Sequence, residues 1–232
     1  MNKFYLKRQD LQEDLVKLFL RLNGYFTTGL IIHSPLYGNN QTEIDVVAIR
    51  FPHHNQEDRI VECSEFLQIP KDTIDIIIGE VKSSKILFNE ALRENKNSIE
   101  KLINWIGAFD SEEVSQIKEI LHEEMKPKIN NNSDIFKKIV FRGKSGNYSI
   151  RPIIFSLNIP QPQKGQERFI NGQIILDFIW SCFRPDVHRE SCSEKYNFNN
   201  WGYSLLPIIE YFKNKNKLSV GDINDLYRHF DI

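Results

Sequence analysis

Two stretches decide the reading of this chain: Glu43-Ile44-Asp45-Val46-Val47-Ala48-Ile49-Arg50 and, after a polar insertion, Ile74-Asp75-Ile76-Ile77-Ile78-Gly79-Glu80-Val81-Lys82. Both are rich in β-branched residues and have the length of buried strands. Each nevertheless carries ionisable groups where a core strand ordinarily carries none. An isolated carboxylate in an apolar interior is costly unless it is paired or coordinates a metal. Charges kept at the ends of buried strands therefore ask for a functional explanation.

The spacing supplies one. Side chains alternate across a strand, so Glu80 and Lys82 share a face while Val81 points the other way. If the strand ending at Arg50 pairs alongside, Asp45 reaches the same point. Two hard oxygen ligands and one ammonium then surround a common volume. That suits Mg²⁺ (or Mn²⁺), which accepts a small number of carboxylates together with water and substrate phosphate. Lys82 would hold an attacking water in line and offset charge developing on a phosphate.

Asp45 followed by Glu80-Val81-Lys82 at the end of an Ile-rich strand resembles the Asp…Glu-x-Lys signature of the PD-(D/E)XK, or restriction-endonuclease-like, nuclease superfamily. Upstream, Leu11-Gln-Glu-Asp-Leu-Val-Lys-Leu-Phe-Leu-Arg-Leu-Asn-Gly-Tyr-Phe26 is similar to the opening helix and Gly-aromatic turn of the Mrr-like and resolvase-like branches. The resemblance covers roughly residues 5 to 107. It implies that Asp45 and Glu80 are metal ligands, that Lys82 is the catalytic lysine, that Glu13 is the helix glutamate assisting a second ion, and that the Val81 carbonyl contacts the metal. It implies a Mg²⁺- or Mn²⁺-dependent hydrolase cutting DNA, less readily RNA, in a bacterial anti-phage or restriction setting. The chain departs from the pattern in two ways: the interval between Asp45 and Glu80 is longer than a hairpin needs, and Ile44 stands where the family's name has proline. The extra length reads as a loop, because Phe51-Pro-His-His-Asn-Gln-Glu-Asp58 is rich in turn formers.

The 232 residues, 41% of them apolar, are enough for one large domain with a real core. A formal charge of −1 excludes a protein coated in basic surface. Any grip on nucleic acid must be local. Its candidates are Lys82, Lys85, Arg93, Lys96 and Lys101, then Lys137, Lys138, Arg142, Lys144 and Arg151, then the Lys213 to Lys217 run; a solvated charged face explains them equally. Cys63, Cys182 and Cys192 have no metal-ligand spacing and leave an odd thiol, which points to a reducing cytoplasm. No apolar run is long enough to span a membrane.

Helical spacing of Leu11, Leu15, Leu18, Phe19 and Leu22 predicts a helix over 8–23 that Gly24 closes, with Glu13 at its margin. Strands are expected at 27–34, 42–51 and 74–82, the first two joined at Gly38-Asn39-Asn40. A long helix follows over 89–107, another from Asp110 or Ser111 through His122, and then strands at 135–142 and 148–157. Residues 172–183 read as a strand running into a helix, and 201–212 and 223–230 as two short helices. This order makes an α/β sandwich with a mixed central sheet flanked by helices, in agreement with a restriction-endonuclease-like fold. The nuclease-like core is expected over 1–160, with 161–232 a C-terminal elaboration packed on the same domain.

Several other groups carry open readings. Glu43 shares the face of Asp45 and is either a further acidic ligand or a tether for a lysine. Ser83 and Ser84 lie where substrate phosphate would sit, or are ordinary strand-end serines. Asp75 is out of register with Glu80 and reads as a strand-entry charge. His53 and His54 lack a second ligand at metal spacing and read as surface loop. Gly143-Lys144-Ser145 lacks the first glycine of a phosphate loop and reads as a hairpin turn. With no recognition domain visible, specificity would come from the second half of the chain, a homodimer or a partner protein. The rival function is a non-catalytic nucleic-acid or protein interaction module retaining the nuclease fold. A purely structural protein, in which Glu80 and Lys82 merely form a salt bridge, is a third reading.

Overall fold

The computed structural model describes residues 7–34, 40–56, 61–127, 139–143, 146–159, 169–184, 201–214 and 218–232. The expected turn at 38–40, Lys137, Lys138, Lys144, Lys215, Lys217 and Cys192 lie wholly or partly outside them.

The helix α1 (Arg8–Leu22) leads into the hairpin β1 (Phe26–His33) and β2 (Asn40–Arg50). Gly24 turns the chain between α1 and β1 at φ +85°, with the His54 ring so close that a Cβ would stand 2.4 Å from it. Only glycine fits that position. His54 is therefore a packing residue against this turn.

The third strand, β3 (Ile74–Val81), pairs antiparallel with β2 and parallel with β5 (Gly146–Ser156). It is the central strand, buried on both faces, which explains its unbroken isoleucines. Gly79 is what allows β2 and β5 to close on it: a Cβ there would lie 2.3 Å from Val46 Cγ1 and 3.0 Å from the Phe155 ring. The far edge of β5 is shared by β4 (Ile139–Gly143), antiparallel, and by the two-residue β6 (Ile170–Asn171), parallel. The sheet is mixed, as its sequence pattern predicts.

Helices cover both faces. The crossover from β3 to β5 carries α2 (Glu90–Glu94), α3 (Lys96–Ile106) and α4 (Ser111–Met125). They pack over Ile76 and Ile78 of β3. The single helix expected over 89–107 is in fact two, because Asn95 leaves helical geometry (φ −124°, ψ 100°) and its side chain accepts from Asn97 N–H to cap α3. Asp110 and Glu113 form a full capping box at the start of α4.

On the other face α1 packs with α5 (Gly172–Phe183), α6 (Leu206–Lys213) and α7 (Ile223–Phe230) over Ile77 and Val81. Residues from both sides of position 160 share this core. The reading of 172–183 as part strand is corrected: pairing stops at Asn171, whose side chain caps a helix occupying the whole segment. Helix α1 is buried over more of its circumference than its sequence stripe indicates, since Val16 and Leu20 are as inaccessible as Leu11 and Leu15. Two layers meet it, the sheet and α5.

Asp75 is also corrected. It is not a charge at the sheet's entrance but a buried anion, 1% exposed, facing a wholly buried Arg151. Arg151 Nε donates to Asp75 Oδ1 at 2.9 Å, its terminal nitrogens reach Asp75 Oδ2 and the Leu67 carbonyl, and Tyr25 Oη donates to Asp75 Oδ2 at 2.5 Å. Burial, followed by the neighbouring Asp75 charge, pushes the Tyr25 hydroxyl upward from its ordinary pKa. Arg151 is thus removed from the candidate nucleic-acid contacts: its guanidinium is buried and hydrogen-bonded within the core.

Candidate active site

The opposite end of β3 holds the other charges. Val46 faces Gly79 across the β2–β3 ladder, which places Asp45 level with Glu80 on one side of the sheet. The β1–β2 pairing slips by one residue between Thr28↔Val47 and Leu30↔Ile44, so a bulge in β2 spans Asp45. Bulges bend a strand and re-aim its side chains, and here the bend delivers a carboxylate to the neighbouring strand end. Asp45 Oδ2 accepts from Val81 N–H at 2.6 Å.

Glu80 is fully buried and Lys82 one-fifth exposed. Lys82 Nζ stands 2.5 Å from Glu80 Oε2, as an ion pair without hydrogen-bond alignment, and donates to Asn89 Oδ1 at 2.6 Å. Asn89 in turn donates through Nδ2 to Glu80 Oε1 at 3.2 Å and to the Glu43 carbonyl at 3.1 Å. Asn89 occupies the N-cap of α2 yet its side chain makes no capping bond. Its amide ties the motif to the first helix of the crossover instead.

The carboxylates repel one another. Glu80 is pushed up to about 7, first by burial and then by the charge of Asp45, with Lys82 opposing. Asp45 is raised by burial, against the pull of the Val81 N–H and Lys82. Glu13 is raised by burial and next by Asp45, while Lys17, 3.5 Å away, lowers it. Three acids on α1, β2 and β3, Glu13, Asp45 and Glu80, therefore sense one another. Glu43 contributes its backbone carbonyl to Asn89, and its own side chain is exposed.

No group of three or more His, Cys, Asp or Glu side chains in metal-holding arrangement occurs among the described residues. The donor set is the pair Asp45 and Glu80. It fits a hard divalent cation: both carboxylates are buried, and their mutual repulsion is what such a cation relieves. The Val81 backbone lies between these two carboxylates, with its N–H committed to Asp45.

Sequence reasoning brought Asp45, Glu80, Lys82 and Val81 together and missed Asn89. The available signal was an asparagine directly before the helix that follows the motif. Of the other cations proposed from sequence, Lys96 pairs with Glu119, Lys101 donates to the His33 carbonyl and Gln41, and Arg93 to the Phe88 carbonyl and Glu94. Lys85 is exposed and has no such partner among the described residues.

Compared with protein-family models, with curated proteins and with solved structures, the chain matches none of them. Among the described residues no helix is long and apolar enough to cross a membrane.

Proposed function

We propose that the chain is a metal-dependent nuclease of restriction-endonuclease-like type, hydrolysing phosphodiester bonds of DNA in preference to RNA. The observation that carries this reading is the meeting of Asp45, Glu80 and Lys82 at one strand end, with a β-bulge aiming Asp45. Asp45 and Glu80 would hold Mg²⁺ or Mn²⁺. The ion, when bound, supplies Lewis-acid stabilisation of the phosphate and lowers the pKa of water.

The chain's own groups do the rest. Asp45 and Glu80 contribute negative charge that localises the cation next to the scissile phosphate. Lys82 donates to Asn89 Oδ1, which fixes where its ammonium stands at the strand end. Its ammonium then orients the attacking water and offsets charge growing on the phosphoryl oxygens. Glu13 adds a third carboxylate on the helix side.

One observation favours a second reading. The 2.5 Å Lys82–Glu80 ion pair is what a strand-end salt bridge without chemistry would also show, in an interaction module that retains the fold. Cleavage of supercoiled plasmid, linear duplex, single-stranded DNA and RNA with Mg²⁺ or Mn²⁺ separates the two. Metal-dependent cutting by the parent, absent from Lys82→Ala and Asp45→Asn chains that stay folded, is the expected result. Variants that cut as fast as the parent would overturn the assignment.

A further inference from the structure

A cleft of about 550 Å³ opens directly beside Lys82. One wall is the chain that leaves β3, where Ser83, Ser84 and Lys85 are exposed and outside regular structure. The facing wall is built from Arg8, Gln12 and Asn158. That wall is held rigidly: Gln12 is 2% exposed and donates to Tyr227 Oη at 2.5 Å, and Tyr227 Oη donates to Asn158 Oδ1 at 2.7 Å. The Arg8 guanidinium stacks 4.6 Å from the centre of the Tyr227 ring. Stacking uses the face of the guanidinium and leaves its edge N–H groups available. Neither Arg8 nor Lys85 has a carboxylate or carbonyl partner among the described residues.

The uncommitted Arg8 and Lys85, two serine hydroxyls and four side-chain amides outnumber the single carboxylate, Glu90, in a groove that ends at the candidate catalytic lysine. Fixed cations and neutral donors are the chemistry that recognises phosphate oxygens. The one aromatic of the lining, Phe88, is 8% exposed and offers no platform on which a base could stack. The volume is that of a site for a drug-sized ligand, so a short piece of one strand enters between the walls, whereas a duplex, whose major groove alone is about 12 Å wide, does not.

We infer that this cleft binds the sugar-phosphate backbone of a single nucleic-acid strand next to the scissile phosphate, with Arg8 and Lys85 as the phosphate-gripping residues. The inference rests on the nuclease reading and adds the substrate class to it: a single-stranded region, a frayed end or a flap, bound without base preference. Tyr227 is a positioning residue that acts through Arg8 and Gln12.

The test compares Arg8→Ala, Lys85→Ala and the double variant, with Arg8→Lys as a charge-conserving control against loss of the stacked ring contact. Steady-state cleavage of a fluorescent single-stranded oligonucleotide of about 12 nucleotides and its binding over a salt series are measured. Each lost cation is expected to raise KM several-fold with kcat within about twofold. It should also flatten the slope of log K against log salt by about 0.7, the value for one phosphate contact on a single strand. Arg8→Lys should retain most of the slope. Unchanged KM and slope in a chain that still cuts would overturn the cleft assignment and leave the nuclease reading standing. Tighter binding and faster cutting of blunt duplex than of single strand would overturn the substrate class. A parent that neither binds nor cuts any nucleic acid would overturn both.

Discussion

Asp75→Ala should be among the most destabilising single changes this chain can suffer, although the residue looks like one charge in a run of isoleucines. The substitution leaves the Arg151 guanidinium 0% exposed, with only the Tyr25 hydroxyl and the Leu67 carbonyl to satisfy it. Breaking a buried pair costs about 3–5 kcal/mol, because the remaining charge stays desolvated and unpaired. For a chain of this size that corresponds to a fall in Tm of roughly 6–20 °C. Urea unfolding followed by circular dichroism would show a lower midpoint with an unchanged slope. Removing both charges, Asp75→Leu with Arg151→Met, should recover most of the loss, since apolar side chains of similar volume replace a buried pair at little cost. Adding Tyr25→Phe should recover more, because the phenol would otherwise be left with a buried unsatisfied hydroxyl. A loss under about 1 kcal/mol for Asp75→Ala, the worth of a solvated surface pair, would refute the placement of this network in the core.

Other consequences are as direct. Asn89→Ala should lower kcat tenfold or more with little change in KM, as Lys82 loses its second acceptor, and Asn89→Asp should restore part of it; equal loss in both variants would argue against a positioning role. Gly79→Ala should cost about 1–3 kcal/mol in denaturant midpoint, since its Cβ would collide with Val46, and a neutral result would mean that β2 and β5 are less tightly closed on β3. Glu80 holds its proton to about pH 7 in the fold but only to its ordinary value when unfolded. The folded state therefore binds the extra proton between those limits, and without added metal stability should fall as pH rises from about 4.5 to 7. Glu80→Gln should flatten that fall in unfolding measurements across the interval. Mg²⁺ titrated into the parent near pH 7 should release a proton detectable with a weakly buffered indicator, and the Glu80→Gln chain should release none.

What could be read from the sequence was local. Stripes and caps placed α1, α4 and α7 to within a few residues, and β-branched runs placed β1, β2 and β3, because periodicity and caps act over one or two turns; α6 begins at Leu206, later than the expected 201. The features that escaped depend on what packs from far along the chain. Val16 and Leu20 sit off the α1 stripe and are buried in the core that α1 shares with α5 and the closing helices. Asp75 and Arg151 lie 76 positions apart in two apolar strands, and only the parallel β3–β5 register puts their side chains on the same face. The bulge at Asp45 is set by pairing with β1, which no run of residues within β2 announces. At the site itself, the Asp…Glu-x-Lys spacing was legible since alternation along β3 is a local rule. The Asn89 clamp and the Arg8 wall were not, since they require knowing which helix begins beside which strand end.

The shared core of the first helix and the last three has a consequence for synthesis. A nascent chain that has emerged only through β5 has made Asp45, Glu80 and Lys82, but the apolar faces of Leu11, Leu15 and Phe19 still lack the side chains of Ile175, Ile179, Ile208 and Leu226 that complete their layer. Helix α1 must wait on the ribosome for partners some 160 residues downstream, exposed in the meantime to chaperones and to other nascent chains. Glu13, Gln12 and Arg8 reach their places only when that wait ends. Under the nuclease activity proposed above, Glu13, Asp45 and Glu80 are translated in the first half of the chain while the cleft beside Lys82 is among the last parts completed, so a growing polypeptide would stay harmless to the nucleic acid around it until nearly the whole of it has been made.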